Sequence, residues 1–528
     1  MKDVRLLDCT LRDGGYVNDW KFGNGPITSI FDRLDKSGVD IIEVGFLDDR
    51  RTFDMDRSIQ PDTASFSKVY GSVINRHAMV VAMIDYGTCD ISNIQPQSET
   101  ILDGIRVIFK KNRMYEAVEY GRQIMEKGYH LFLQMVSTTS YEDKDIIEFS
   151  KLVNPIKPYA VSIVDTYGLM HKKQAIHYFN MLNRYLDKGI MMGYHSHNNF
   201  QMAYSNTVEV LDHDRDRDII IDGTLYGMGK SAGNAPLELL AMYLNNNYNA
   251  NYDIGQMMEA ISNDIMPIHR RTPWGYGLQY YICAKNNCHP NYSKYLMAKE
   301  SLSIKSIDEI LSYIEPEYQL MYDEDYIEEL YADYMSKRFD DSRDLRNLRS
   351  NLSGREILLI GPGKSARAQS DRITEYQAEN RPVTISVNFI PDYYIDYLFL
   401  CNLKRYSYTA PTINTRSIKV ISTSNVTSVG RPFRYTIRYD RLITNTADLW
   451  NNALIVVLNL FRMIGIGRVT LAGFDGFEKN GSGNYYNDDM IPEGDMEFLL
   501  FLNDALKERL KEYSADMEIG FLTDSKYQ

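Results

Sequence analysis

The fold of the first half of this chain is decided by the stretch IMMGYHSHNN, residues 190–199. Its first four residues form an apolar run that predicts a buried strand. Residues two apart on a strand point to the same face, so His195 and His197 would present two neighbouring imidazoles. A His-x-His pair taken alone is more often an ordinary core or surface pair. With one added carboxylate, however, two imidazoles make a common divalent-metal site.

An earlier stretch supplies the candidate carboxylate. LLDCTLRDGG, residues 6–15, is a second apolar strand that runs into a charged turn closed by glycines. We therefore interpret Asp13, His195 and His197 as the ligands of one metal ion.

Strand and helix patterns alternate through the first 250 residues or so, as a TIM (β/α)₈ barrel requires. Strands are predicted at 4–9, 40–46, 79–85, 104–109, 130–136, 160–165, 190–197 and 218–225. Amphipathic stretches at 114–127, 143–152, 172–186 and 203–211 predict helices between them. The alternative is an open doubly wound sheet, which normally carries a glycine-rich phosphate turn after its first strand. Residues 12–15 match that turn poorly.

A barrel brings the two halves of the predicted metal site together. Active-site residues of this fold lie at the carboxyl ends of the strands, and closure makes strands one and seven near neighbours. Other polar residues also fall at predicted strand ends: Glu43, Asp85, Lys110, Gln134 and Asp165. Buried polar groups are costly unless paired or used, so this ring of polar side chains favours a functional site over simple packing.

The loop after the eighth predicted strand is rich in glycine. It reads YGMGKSAGNAPLE, residues 226–238, and a helix is predicted to start near Asn234. The helix N-terminus after such a loop can hold an anionic group. A plain tight turn between strand and helix explains the spacing equally well.

Composition limits the class of protein. The chain has 528 residues, 44% of them hydrophobic, with a net charge of −13. Such a charge argues against nucleic acid and anionic membranes as partners. The five cysteines are scattered and odd in number, which indicates a reducing compartment. With no signal peptide or membrane-spanning stretch in the sequence, we expect a cytoplasmic protein.

Four motifs occur in an order typical of a known superfamily. They are DCTLRDGG at 8–15, EVGF at 43–46, HSHNN at 195–199, and the loop 227–238. In these motifs the chain resembles the DRE-TIM metallolyases, also called HMG-CoA-lyase-like, and most of all their 4-hydroxy-2-oxovalerate aldolase branch. The resemblance covers residues 3–300 and includes PWGYG at 273–277.

The resemblance implies a lyase that forms or cleaves a C–C bond beside a 2-keto acid, through an enolate of pyruvate, with an aldehyde as the second substrate. It implies a divalent metal ion on Asp13, His195 and His197, with Asn234 at a position that is a ligand in some members. Manganese is the first choice, and magnesium, cobalt and zinc are alternatives. Arg12 matches the arginine that steadies the enolate, a charge that appears only in the transition state.

One departure from the related aldolases concerns proton transfer. They carry a histidine three residues after the motif aspartate, where this chain has Tyr16. An unperturbed phenol has a pKa near ~10 and is a poor base at neutral pH. Either Tyr16 acts as the acid/base, with its pKa lowered by the metal or by Arg12, or another group such as Glu43 or His269 takes that role, or the reaction differs. The remaining alternatives are acyl-CoA condensation and a non-catalytic barrel that supports a nucleotide-sugar-binding C-terminal domain.

A helical extension is predicted at 255–350, after the barrel at 1–254. In the related aldolases such an extension docks an aldehyde dehydrogenase. The same partner is one expectation here, and a helical cap packed on the barrel is the other. Self-association into a homo-oligomer is a further expectation.

A smaller Rossmann-like α/β domain is predicted at 351–528. Its first strand runs into GPGKS, residues 361–365, which is not a phosphate-binding Walker A loop because position 358 is leucine. The domain weakly resembles sialyltransferase-like and motility-accessory glycosyltransferase folds. That resemblance implies that Gly361, Gly363, Ser365 and Asn388 face a nucleotide or nucleotide sugar, and hence a role in surface-glycan biosynthesis. The competing interpretation is a regulatory or scaffolding domain.

Overall fold

The computed structural model describes residues 3–71, 76–213, 216–299, 301–414, 416–427, 433–443, 449, 451–478, 485–486 and 496–528. The chain forms two compact units. The first contains Met1–Ser293 and Ile314–Tyr322, and the second contains Lys294–Tyr313 and Asp323–Gln528. The segment predicted as a helical extension is therefore shared between the two units.

The first unit is a closed barrel of eight parallel strands, as predicted. The strands are β1 Val4–Asp8, β2 Ile41–Leu47, β4 Met79–Asp85, β5 Gly104–Phe109, β6 His130–Met135, β7 Ala160–Asp165, β8 Met191–Ser196 and β9 Ile219–Gly223. The barrel closes because β1 pairs with both β2 and β9. A two-residue strand that was not predicted, β3 (Ile59–Gln60), pairs with the end of β2.

Helices surround the barrel and cover the outward apolar side chains of its strands. They are α1 Asn24–Lys36, α2 Thr63–Tyr70, α3 Met114–Glu126, α4 Asp143–Val153, α5 Lys172–Tyr185, α6 Ala203–His213, α7 Leu237–Tyr248, α8 Ile254–Ala260 and α9 Met266–Arg271. Further along the chain follow α10 Leu278–Lys285, α11 Pro290–Ala298, α12 Ile304–Leu311, α13 Pro316–Gln319, α14 Glu324–Arg338 and α15 Ser342–Leu352.

The inside of the barrel is layered. Inward side chains near the amino ends of the strands are apolar, among them Ile41 and Ile220. Two residues further along, the same strands place Glu43 and Asp222 on the same inward face, since the side-chain period of a strand is two. Both carboxylates are buried. A charged layer therefore separates the apolar base of the barrel from its mouth.

In the part of the second unit that the structure describes, seven parallel strands form an open sheet. They are β10 Ile357–Ile360, β11 Val383–Val387, β12 Tyr397–Leu400, β13 Lys419–Thr423, β14 Tyr435–Ile437, β15 Arg468–Ala472 and β16 Glu518–Phe521. Helices α16 Ser365–Ala368, α17 Ser370–Asn380, α18 Leu403–Thr409, α19 Ala453–Ile464 and α20 Met496–Tyr513 connect them. The strand order is β14-β13-β12-β11-β10-β15-β16, so the direction of winding reverses between β10 and β15. Among the helices that the structure describes, none is both long and apolar enough to cross a membrane.

Candidate metal centre and active site

The three predicted metal ligands meet at the mouth of the barrel. Asp13 follows β1, and His195 and His197 lie at the end of β8. One ligand atom from each residue lies within 4.8 Å of the other two. His197 Nε2 is 3.3 Å from Asp13 Oδ2, and all three side chains are buried. The arrangement is that of a mononuclear site with two imidazoles and one carboxylate.

Both histidines are oriented through the same ring nitrogen. His195 Nδ1 lies 3.0 Å from Asp222 Oδ2, and His197 Nδ1 lies 3.2 Å from the backbone oxygen of Asp165. A carboxylate and a carbonyl oxygen can only accept, so each Nδ1 carries the hydrogen and each Nε2 keeps a lone pair. Burial also lowers the pKa of His195, which keeps that imidazole in the neutral form that a metal requires.

Asp13 is held as a carboxylate by its neighbours. Its Oδ1 accepts from Arg12 Nη1 at 2.7 Å, and its Oδ2 accepts from Asn234 Nδ2 at 2.5 Å. Burial raises the pKa of Asp13, but the opposing effects of Arg12, His197 and His195 together outweigh burial and hold that pKa well below its usual range. Asp13 therefore stays ionised throughout the neutral range.

A chain of buried ion pairs joins the ligands beneath the mouth. Arg12 Nε donates to Glu43 Oε2 at 2.7 Å, and Arg106 Nη1 lies 3.0 Å from the same oxygen. Arg106 Nη2 donates to Asp222, the residue that orients His195. The chain contains three carboxylates and two guanidinium groups. With neutral imidazoles it has one negative charge in excess, which favours a bound cation.

The residues present fit a divalent metal ion. Among the described residues, His197 Nε2 and Asn234 Oδ1 are buried with no hydrogen-bond partner. Unpaired buried acceptors are costly, and a cation would satisfy both. Cys9, His195 and Asp222 form a second cluster of potential ligand atoms. In that cluster Asp222 Oδ2 already accepts from His195 Nδ1 and from Arg106, so its ligand atoms are engaged within the chain.

A cavity of about 340 Å³ opens over the cluster. Arg12, Asp13, His195 and His197 line it, together with Asp85, Lys110 and Gln134 from the predicted ring of strand-end residues. Asp165 lies outside the lining, and its carboxylate accepts from the backbone N–H groups of Leu169 and Met170. The rest of the wall includes Tyr16, Tyr167, Lys230, His289, Leu320, Met321 and Tyr322.

Of the three residues considered for proton transfer, Tyr16 lines the cavity. The residue lies at the rim and is 42% exposed as a whole, while its hydroxyl group is turned into the cavity wall. Desolvation of the hydroxyl raises its pKa to about 12, so the phenol is protonated at neutral pH. Glu43 is buried between Arg12 and Arg106. His269 packs edge-on against Trp274, with ring centroids 4.6 Å apart, and neither Glu43 nor His269 lines the cavity.

Several site residues were not predicted. Arg106 and Asp222 are charged residues within otherwise apolar strands, and that pattern is a signal from which they could have been found. His289 and the segment 320–322 come from outside the barrel, where no sequence pattern pointed to the site. Tyr292 lies against that segment, and its single hydroxyl hydrogen is shared between the backbone oxygens of Tyr318 and Met321, which lie 2.8 and 2.9 Å from the hydroxyl oxygen.

In the second unit the predicted ligand-binding residues make contacts within the chain. Gly363 N donates to Gly473 O at 2.8 Å, and Ser365 N donates to Asp475 Oδ2 at 2.7 Å. Gly361 lies beside the same loop, since a Cβ at position 361 would be 2.6 Å from Gly473 O. Asn388 has a left-handed backbone, with φ at 62°, and its Oδ1 accepts from Cys401 N. Their contact with a nucleotide stays a prediction.

Comparison with known proteins assigns the barrel to a family. Residues 3–265 match the family model described as HMGL-like. The oxaloacetate decarboxylase of Mycobacterium tuberculosis is 26% identical over 274 residues, which are 52% of this chain and 79% of that protein. The 4-hydroxy-2-oxovalerate aldolase of Chloroflexus aggregans is 29% identical over 283 residues, 51% of this chain and 77% of that protein. A solved hydroxymethylglutaryl-CoA lyase from Pseudomonas aeruginosa superposes with a TM-score of 0.44 at 15% identity, covering 52% of this chain and 95% of that one.

Proposed function

Because residues 3–265 form an HMGL-like domain whose relatives include aldolases and lyases, we propose that the barrel is a divalent-metal-dependent carbon–carbon lyase. It would form or cleave a bond next to the carbonyl of a 2-keto acid, with pyruvate as the donor and an aldehyde as the acceptor. The observation that carries this proposal is the convergence of Asp13, His195 and His197 with Arg12 at one cavity.

Asp13, His195 and His197 would hold the metal ion, with Asn234 Oδ1 as a further ligand. Manganese is our first choice, followed by magnesium, cobalt and zinc. A divalent ion there would act as a Lewis acid toward the carbonyl and carboxylate oxygens of the keto acid. Asp222 and the Asp165 backbone oxygen keep each imidazole in the required tautomer, and such partners strengthen metal binding.

Arg12 would stabilise the negative charge of the enolate. Its guanidinium is fixed by Glu43 on one side and Asp13 on the other, so it does not have to reorganise during the reaction. Such preorganised charge in a buried site is worth more than the same charge in water.

Tyr16 would act as an acid and not as a base. A phenol with a pKa of about 12 keeps its proton at neutral pH and can donate it to the alkoxide that forms when an aldehyde is attacked. In the cleavage direction the same oxygen would accept that proton back, and in synthesis the proton that leaves the methyl group of pyruvate would pass to solvent.

The first test is exchange of the methyl protons of pyruvate in deuterium oxide, read by NMR after metal removal from each aliquot. We expect exchange with added manganese or magnesium, and loss of exchange after chelation or in the Asp13→Asn variant. Absence of exchange in metal-loaded protein would overturn the proposal. Acyl-CoA condensation and a non-catalytic barrel would then be the alternatives to examine.

For the second unit we propose a Rossmann-like domain that binds a nucleotide or nucleotide sugar. Its support is the reversal of strand order between β10 and β15, because ligands of open α/β sheets bind at such switch points. A ligand would have to bind beside Asp475, which already accepts from Ser365 N. Titration of the full chain with UDP, CMP and UDP-N-acetylglucosamine tests this, and no binding of any of them would contradict it. A role in glycan biosynthesis, an aldehyde dehydrogenase partner and self-association stay predictions.

A further inference from the structure

We propose that the aldehyde substrate of the barrel carries an anionic group, a carboxylate or a phosphate, and that Lys230 and Lys110 bind this group. The inference rests on the proposed function and specifies the second substrate. Its basis is a positively charged part of the cavity wall that the metal centre and Arg12 do not use.

Lys230 places an ammonium group among aromatic rings inside the cavity. Its Nζ lies 5.6 Å from the centroid of the Tyr16 ring and 5.7 Å from that of the Tyr167 ring. Within the described ranges it forms no ion pair with a carboxylate. Aromatic faces attract an ammonium without taking up its N–H donors, so Lys230 keeps donors for a ligand.

Lys110 brings a second ammonium to the same wall. It follows β5, is exposed, and also lacks a carboxylate ion pair in the part of the chain that the structure describes. Both lysines line the same cavity. Burial lowers the pKa of Lys230, the charges of Asp13 and Asp85 oppose that effect, and the charge of Lys110 adds to it. Two like charges at one wall repel each other, and an anion between them would remove that cost.

The carboxylates that face these lysines do not cancel their charge. Asp85, at the end of β4, lines the cavity and offsets one of the two ammonium groups. Asp13 also acts on Lys230, but its oxygens already accept from Arg12 and Asn234. One positive charge therefore remains in excess at this wall.

His289 adds a neutral donor to the wall. Its Nδ1 accepts from the backbone N–H of Asn291 at 3.1 Å, so the hydrogen of the neutral ring is on Nε2. Burial, followed by the charges of Lys230 and Lys110, lowers the pKa of His289 to about 4. The imidazole is therefore uncharged at neutral pH and can donate to an anion without adding to the charge.

The anion belongs to the second substrate, because the carboxylate of the keto acid has its own partners at the metal centre and Arg12. A cavity of about 340 Å³ has room for both reactants. Phosphate and carboxylate are the two anionic groups that lysine commonly binds, and matched substrates distinguish them.

The experiment compares condensation of pyruvate with paired aldehydes. Succinic semialdehyde is paired with butanal, and glyceraldehyde 3-phosphate with glyceraldehyde. We expect kcat/KM to be higher for the charged member of at least one pair by about tenfold or more, as one charge-assisted hydrogen bond provides. The pair that shows the preference identifies the anionic group. Lys230→Met and Lys110→Met should reduce the ratio. Lys36→Met, which removes an exposed lysine paired with Asp32, should not.

The outcomes separate this inference from the proposed function. If the wild-type protein exchanges pyruvate protons but has equal kcat/KM for charged and neutral aldehydes, the inference is wrong and the proposed function still holds. Absence of exchange overturns the proposed function. Titration of metal-free protein with inorganic phosphate and with succinate gives a readout that needs no turnover. Binding of either probe that is about tenfold weaker in Lys230→Met supports the anion site. If the wild-type protein binds neither probe, the inference is overturned.

Discussion

His195 Nδ1 lies 3.0 Å from Asp222 Oδ2, and this contact joins the metal centre to the charged layer inside the barrel. Asp222 also accepts from Arg106, and Arg106 approaches Glu43, the partner of Arg12. The proposed metal ligand His195 and the proposed enolate-stabilising residue Arg12 are thus positioned by one set of buried charges. Arg106 is central to this set although it does not line the cavity.

We expect Asp222→Asn to weaken metal binding by about 10–100-fold, the usual effect of removing the partner of a metal-binding histidine. The amide can still contact His195, but it no longer enforces the tautomer that leaves Nε2 free. Calorimetric titration with manganese measures the change. Asp218→Asn is the matched control, because Asp218 lies just before the amino end of β9 and accepts from Asp3 N. Equal affinity in the two variants would contradict the prediction.

We expect Arg106→Met to lower the free energy of unfolding by about 3–5 kcal/mol, since Glu43 and Asp222 would each keep a buried charge with one partner fewer. Urea unfolding of metal-free protein measures this. If the cost comes from uncompensated charge, adding Glu43→Gln to the variant should recover part of it. If the double variant is less stable than Arg106→Met by the full cost that Glu43→Gln has on its own, the two effects are independent. Lost packing would then be the cause instead of uncompensated charge.

The sequence allowed the barrel and the clustering of Asp13, His195 and His197 to be predicted, because both depend on short-range periodicity and on the order of the strands. A two-residue period places His195 beside His197, and strand count with chain order places Asp13 near them. The ion pair between Arg106 and Asp222 depends on alignment across the barrel between residues 116 positions apart. No local pattern carries that alignment. The same limit explains why Glu43 was considered for proton transfer when it is fixed between two arginines.

In the second unit, the sequence predicts strands at 356–360, 383–388, 397–401, 418–422 and 468–472. They correspond to β10–β13 and β15, whereas β14 and β16 were missed. Both missed strands are short, with three and four residues. Short edge strands form mainly because they pair with a neighbouring strand, and their own hydrophobic pattern is too short to predict them. The turn at 361–365 was correctly expected to follow a buried strand. Its contact with Asp475 depends on the order of strands in the sheet, which the sequence pattern did not reveal.

Gly229 is expected to be essential for the metal centre. A Cβ at this position would overlap Asn234 Nδ2 and lie 2.5 Å from Asp13 Oδ2. Gly229→Ala should therefore displace both side chains and weaken metal binding by at least about tenfold, with little effect on the fold. Gly25→Ala is the control, because a Cβ there meets no atom within 4 Å and position 25 lies in α1. Unchanged metal affinity in Gly229→Ala would show that the site can relax around the added methyl group.

Tyr16→Phe separates proton donation from metal binding. Removing the hydroxyl should lower kcat for condensation by about 10²–10⁴-fold, the usual contribution of a positioned acid. Metal affinity should stay the same, since Tyr16 is not among the clustered ligand residues. Condensation rates with pyruvate and the preferred aldehyde, measured beside a manganese titration, provide the comparison. A variant with full kcat would exclude Tyr16 as the acid.

Asp8 should make the stability of the barrel depend on pH. Its carboxyl group is fully buried, and burial raises its pKa to about 7 although two hydrogen bonds from Thr10 lower it. In the unfolded chain its pKa is about 4, so the folded protein binds this proton more tightly. The stabilisation from Asp8 is fully present below about pH 4 and is lost as the pH rises through about 7.

Urea unfolding of metal-free wild-type protein and of Asp8→Asn between pH 4 and pH 8 tests this. As the pH rises from 4 to 7, the wild type should lose stability relative to Asp8→Asn. The loss should be up to about 1.4 kcal/mol for each unit by which folding raises the pKa of Asp8, and the difference should stay constant above about pH 7. The change with pH is the relevant quantity, because an amide cannot accept both Thr10 hydrogen bonds and Asp8→Asn will differ in stability at every pH. Parallel stability curves for the two proteins would show that Asp8 has a similar pKa in the folded and unfolded chain.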